Sequence, residues 1–142
     1  MARTSCGVIV TDGARLLLGH ATRSPRWDIP KGIAETGEAH LAAALRELAE
    51  ETGLAAPPGA LRSLGVHGYM PGKALALFAW HPVPMPDPAG LACRASIRLP
   101  GGALIPEFDR FGLFAWPEAL SRVGRNMARV LASVRDAAGP AS

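Results

Sequence analysis

The sequence predicts an α/β protein, with strand-like segments interleaved with helices in the order strand, strand, loop, helix, strands, helix. Three observations carry this prediction. Residues 38–52 are mostly Ala, Leu, Glu and Arg, without Pro or Gly, a composition that favours helix. Short apolar runs such as TSCGVIVT, ARLLLGH and ALALFAWH are bounded by Gly, Pro and Asp, as strands are. Residues 125–138 place Met127, Val130, Leu131 and Val134 on one helical stripe. The 142 residues predict one domain, 1–142, large enough for a proper core.

Taken in order, residues 4–11 read as the first strand, Asp12-Gly13 as a hairpin turn and residues 14–20 as the second strand. Residues 21–31, ATRSPRWDIPK, read as a loop. Trp27 and Ile29 are its expected core anchors, since large aromatics are usually buried. Arg23, Arg26 and Lys31 are candidates for a rim that contacts phosphate and base, the alternative being solvated cations. The helix over 38–52 has Thr36 as its expected N-cap and Gly53 as a left-handed C-cap. Leu41, Leu45, Leu48 and Thr52 form one stripe. Glu47, Glu50 and Glu51 fall within an arc of roughly 100° on nearly the opposite face, turned to solvent and away from the core. Residues 61–69 read as a strand, 70–73 as a turn, and 74–81 as a central buried strand. Pro82, Pro84, Pro86 and Pro88 exclude their segment from a sheet interior; a connector is the favoured reading over a rigid loop above a site. Residues 91–99 read as a strand, 100–109 as a loop and 111–116 as a strand. Pro117 suits the first turn of a short helix, with Glu118 stabilised there by the dipole. The tail at 139–142 is expected to fray.

Composition excludes several classes. Apolar content of 49% is ordinary for a soluble protein, and no run of about 18 apolar residues suggests a membrane helix. The first residues lack the apolar core and cleavage site of a signal peptide. Cys6 and Cys93 have no metal-ligand spacing and read as free thiols in a reducing cytoplasm. His20, His40, His67 and His81 show no paired spacing, which argues against zinc. A net charge of +3, from 15 basic and 12 acidic residues, favours an anionic partner. The absence of Lys/Arg runs argues against duplex nucleic acid.

The stretch that carries chemistry is residues 32–54, GIAETGEAHLAAALRELAEETGL. It fits G-x5-E-x7-R-E-U-x-E-E-x-G-U, with U a bulky aliphatic residue, at Gly32, Glu38, Arg46, Glu47, Leu48, Glu50, Glu51, Gly53 and Leu54. A chance match arises about once in ten million trials on a chain of this size. Three carboxylates on one face repel one another unless a cation sits among them. Alone, such a face reads first as a solvated acidic surface; within the full pattern it reads as a site for a hard cation, since oxygen ligands select Mg²⁺ or Mn²⁺. Gly32 lets backbone approach closely. Arg46 is the one cation among these acids, placed to pair with Glu38.

The stretch resembles the box of the Nudix hydrolases, and Trp27 to Gly32, WDIPKG, resembles a lead-in common among those acting on dinucleoside polyphosphates and RNA 5′ ends. The resemblance implies an α/β/α sandwich with a mixed β-sheet. It also implies metal-dependent hydrolysis of a diphosphate bond in a nucleoside diphosphate derivative, by attack of water on phosphorus. Glu47, Glu50 and Glu51 would be metal ligands, one of them the general base, with the Gly32 carbonyl a further ligand and Glu38 and Arg46 in support. Glu107 is a candidate from a late loop, by comparison with some Nudix enzymes, against the favoured reading of a solvated loop residue. The substrates expected first are dinucleoside polyphosphates or (d)NTPs, and homodimers are frequent in the family. The rival readings are a non-catalytic nucleotide-binding or regulatory module on the same scaffold, and a prenyl diphosphate isomerase, which would need an added Cys and Glu for proton transfer to carbon.

Overall fold

The structure is a computed structural model describing residues 3–140. Strand β1 (Arg3–Val10) and β2 (Arg15–Ala21) lead to two short strands, β3 (Trp27–Asp28) and β4 (Lys31–Ile33), then to helix α1 (His40–Thr52). A hairpin of β5 (Arg62–Met70) and β6 (Lys73–Trp80) follows, then β7 (Ser96–Arg98), β8 (Leu104–Pro106) and β9 (Phe108–Ala115). Helices α2 (Trp116–Arg122) and α3 (Arg125–Ala138) close the chain. One sheet has the order β4-β1-β6-β5 and another β3-β2-β9, with β7 and β8 as a separate ribbon. The four-stranded sheet is mixed: β1 runs parallel to β6, and every other pairing in it is antiparallel.

The near-continuous apolar runs mark strands buried on both faces. Cys6, Val8, Val10 and Phe78 pack with Ala43, Ala44 and Leu48 of α1. Ile9, Leu75 and Leu77, on the alternate positions, pack with Trp116, Val130 and Leu131 of α2 and α3. This is the expected α/β/α sandwich. Leu48 is fully buried against β1 and β6, so Leu48→Ala should cost about 2–5 kcal/mol, read as a lowered thermal midpoint.

Several boundaries differ from the sequence-based expectation, each for a physical reason. The expected loop at 21–31 contains β3 and begins β4: Ile29 and Pro30 carry the chain from the β2 sheet to the β1 sheet, where the Pro30 carbonyl accepts from Val8 N–H at 3.2 Å. Thr36 does not cap α1. Residues 35–38 close their own turn, with Glu38 N–H donating to the Glu35 carbonyl at 2.9 Å and Gly37 at φ 78°, so the helix begins after Ala39. Gly53 is the left-handed C-cap as expected, at φ 82°. Of the strand expected at 91–99 only Ser96–Arg98 forms, because Ala92 donates to Thr52 and Arg94 and Ala95 both donate to Glu50. Those N–H groups cover the open carbonyls at the end of α1. Within the expected loop at 100–109, β8 pairs with β7. The proline segment is a connector whose Met85 and Leu91 pack beneath α1. The expected frayed tail lies partly outside the described residues; Gly139 is tied by its carbonyl to the Arg62 guanidinium at 2.8 Å.

A candidate metal and diphosphate centre

Arg46 organises the near side of the site. Its Nε and Nη2 each donate to the Glu38 carboxylate at 2.9 Å, Nη1 donates to Glu47 at 2.8 Å and more weakly to Glu50 at 3.5 Å, and Nη2 reaches the Ile33 carbonyl at 3.3 Å. The bidentate fork holds the Glu38 carboxyl down at about 2, helped by the Glu35 N–H. The loop after β4 is thereby locked to α1, as the sequence predicts.

Gly32 explains the first position of the pattern. A Cβ there would stand 2.1 Å from the Glu47 carboxyl carbon. The missing side chain is the space in which Glu47 lies against β4, and β4 is itself pinned by Cys6↔Gly32 pairing with β1.

Glu51 departs from the expectation of a solvent-facing acid. It is 1% exposed, and Glu47 is 9% exposed. Glu51 Oε1 accepts from the Lys31 backbone N–H at 2.6 Å. Burial, followed by the facing Glu107 carboxylate, pushes the Glu51 carboxyl up to about 10. Burial also raises Glu47, with Arg46 opposing. Glu50 alone of the three keeps a substantially exposed side chain, at 45%.

Glu107 is not a solvated loop residue. Its N–H donates to the Ala95 carbonyl at 2.9 Å and its carbonyl accepts from Thr22 at 3.1 Å, while Ala95 itself donates to the Glu50 carbonyl at 3.0 Å. A chain of backbone hydrogen bonds thus runs from the end of α1 to Glu107 and turns its carboxylate toward Glu51 and Glu47.

Gly32, Arg46, Glu47 and Glu107 border a cleft of about 560 Å³ that is also lined by Lys31, Arg3, Tyr69 and Lys73. Lys31 is in the cleft as expected, with its Nζ 3.2 Å from Asp28. Burial works to lower the Lys31 ammonium, but Asp28, Tyr69 and Glu51 together leave the group raised. Arg23 and Arg26 do not line the cleft. Both are exposed; Ala21 N–H donates to the Arg26 carbonyl at 3.0 Å to close their turn, and the Arg26 guanidinium lies against Gly124 at the α2–α3 junction. Trp27 is the core anchor expected of it, 9% exposed and edge-on to Phe114. Arg3, Tyr69 and Lys73 were not singled out by the sequence. Their one signal is that the chain's two lysines, Lys31 and Lys73, both border this cleft.

The donor set fits a hard divalent cation. It is all oxygen, and burial, with neighbouring carboxylates adding to it, holds Glu47 and Glu51 above their usual range, a cost that a bound cation would offset. Among the described residues no three acidic, histidine or cysteine side chains already converge on one point. The cause is visible: Arg46 draws Glu47 and Glu50 to itself, and Lys31 N–H holds Glu51.

A model of the NUDIX domain matches residues 1–84. An uncharacterized 17.7 kDa protein of Enterobacteria phage T4 is 34% identical over 143 residues, spanning 92% of this chain and 94% of that one. An RNA pyrophosphohydrolase of Dinoroseobacter shibae is 48% identical over 56 residues, 37% of this chain and 35% of that one. Among solved structures, a C. elegans Ap4A hydrolase binary complex superposes with TM-score 0.65 at 19% identity, covering 93% of this chain and 96% of that chain. No helix among the described residues is long and apolar enough to cross a membrane. The family match over more than half the chain, together with the box geometry, establishes that this chain belongs to the Nudix hydrolase family.

Proposed function

We propose that this enzyme hydrolyses a diphosphate bond in a nucleoside diphosphate derivative with Mg²⁺ or Mn²⁺, and that dinucleoside polyphosphates or (d)NTPs are its substrates. The observation that carries the reading is that Glu47 and Glu107 line the cleft beside Gly32 while the buried Glu51 carboxyl faces Glu107. Nudix hydrolases generally use divalent metals, and a bound divalent ion would neutralise charge on phosphate oxygens and lower the pKa of a water. Glu47, Glu50 and Glu51, with the Gly32 carbonyl, would hold it. Glu107 lies close enough to Glu51 to share that charge or to take the proton from the attacking water. Arg46 positions Glu47 and, through Glu38, the loop that carries Gly32. Lys31 places an ammonium on the cleft wall, where it can meet a phosphate oxygen.

The relatives' names agree with this class: one is an RNA pyrophosphohydrolase and one structural neighbour an Ap4A hydrolase. A panel of (d)NTPs, dinucleoside polyphosphates, ADP-ribose, NADH and sugar nucleotides, incubated with and without Mg²⁺ or Mn²⁺ and resolved by chromatography, tests it. Metal-dependent cleavage of a diphosphate is expected. Silence across the panel would favour a nucleotide-binding module.

A further inference from the structure

Arg3 and Lys73 are register partners on the parallel strands β1 and β6, so their side chains leave the sheet side by side. Arg3, Ser5 and Gly7 alternate onto one face of β1, and Lys31 pairs with Gly7 on that same face. Lys31 and the Arg3–Lys73 pair are thus separated by four residues of strand, roughly 13 Å. All three cations line the cleft.

The four cleft cations differ in how they are engaged. Arg46 is committed to Glu38 and Glu47, and Lys31 to Asp28. Among the described residues neither Arg3 nor Lys73 has an acid within 4.0 Å, although Glu35 also lines the cleft. Like charges on directly paired positions are destabilising. The backbone nevertheless fixes them together, because Arg3 N–H donates to the Gly72 carbonyl at 3.0 Å in the turn just before Lys73. A pair of uncompensated cations in the cleft that Glu47 and Glu107 also line suits a ligand that brings negative charge beyond the two phosphates at the carboxylates.

We propose that Arg3 and Lys73 form a second anion subsite that takes a phosphate beyond the scissile diphosphate, so that this enzyme selects linear polyphosphates of three or more phosphates over simple diphosphates. The inference rests on the carboxylate centre being where a diphosphate binds. ADP-ribose and sugar nucleotides, which carry two phosphates, leave this subsite unfilled.

The test is calorimetric titration at saturating Mg²⁺ with inorganic pyrophosphate, tripolyphosphate and tetrapolyphosphate, phosphate release being followed in parallel. Wild-type protein should bind the longest chain at least about tenfold more tightly than pyrophosphate, each added charge-assisted contact strengthening the complex. In Arg3→Gln/Lys73→Gln the three affinities should fall within about twofold of one another, with pyrophosphate unchanged. Arg3→Lys/Lys73→Arg should restore the preference. Both positions are exposed, and an unchanged thermal midpoint separates lost binding from lost fold. Mg²⁺-dependent binding of pyrophosphate with no gain from chain length overturns this inference and leaves the carboxylate centre standing. A length preference that survives the double substitution overturns it too. No Mg²⁺-dependent binding of any of the three overturns the carboxylate centre itself, and the subsite with it.

Discussion

Glu51→Gln is expected to reduce metal-dependent turnover by about 10²–10⁴-fold while leaving the fold intact. Gln keeps the volume and the carbonyl oxygen that accepts from Lys31 N–H, so the buried position stays filled and hydrogen-bonded. What it loses is the charge that a cation needs. A second effect separates this variant from a merely structural lesion. In EDTA, the Glu51 carboxyl of the folded protein is held at about 10 against an ordinary 4.5, so the folded state binds a proton that the unfolded state gives up at neutral pH. A group raised in this way loses stability as pH climbs from about 4.5 toward about 10. At pH 7 the loss is on the order of 3 kcal/mol. Thermal midpoints of the wild type in EDTA should therefore fall between pH 5 and pH 9 more steeply than those of Glu51→Gln. Excess Mg²⁺ should flatten the wild-type curve. Parallel curves for the two proteins in EDTA would show that Glu51 is not the crowded acid described.

Gly32→Ala is expected to be nearly as damaging to activity and much milder to stability. The added Cβ would meet the Glu47 carboxyl at 2.1 to 2.4 Å. That carboxyl is the far end of a flexible side chain, so it swings away at small cost to the fold. It is also the group that Arg46 positions at 2.8 Å, and moving it by a bond length breaks both that contact and its place among the acids. Turnover should fall about 10²-fold, since misplacement of about 1 Å is enough for that loss, with the thermal midpoint shifted by only a few degrees. A wild-type rate in this variant would mean that Glu47 has no part in the chemistry.

The parts of this site legible in the sequence are those fixed by short-range geometry. Helical periodicity puts Glu47, Glu50 and Glu51 together, and the pairing of Arg46 with Glu38 spans only eight residues. The apolar stripe of α3 and its bounds follow from local spacing in the same way. Contacts set by strand pairing or by loops distant in sequence were not legible. Glu51 looks like a solvated acid until β4 delivers the Lys31 N–H and the last loop delivers Glu107. Arg3 meets Lys73 only because β1 and β6 run parallel, seventy positions apart in the sequence. The loop cations part company for a related reason. Arg23, Arg26 and Lys31 share one stretch of eleven residues, but the chain crosses between two sheets at Ile29–Pro30, and Lys31 alone is carried to the cleft. Thr36 is a sound N-cap by type; Glu38's commitment to Arg46 and the tight turn at 35–38 displace the N-cap by three residues, to Ala39.

The central claim is that Glu47, Glu50 and Glu51, with Glu107 beside them, hold a divalent cation. Titration of Mn²⁺ into wild-type protein and Glu51→Gln, with free Mn²⁺ followed by its electron paramagnetic resonance signal, tests it without relying on any substrate. The structure predicts saturable binding in the wild type, weakened at least about tenfold in Glu51→Gln. Equal Mn²⁺ affinity in the two proteins would contradict it.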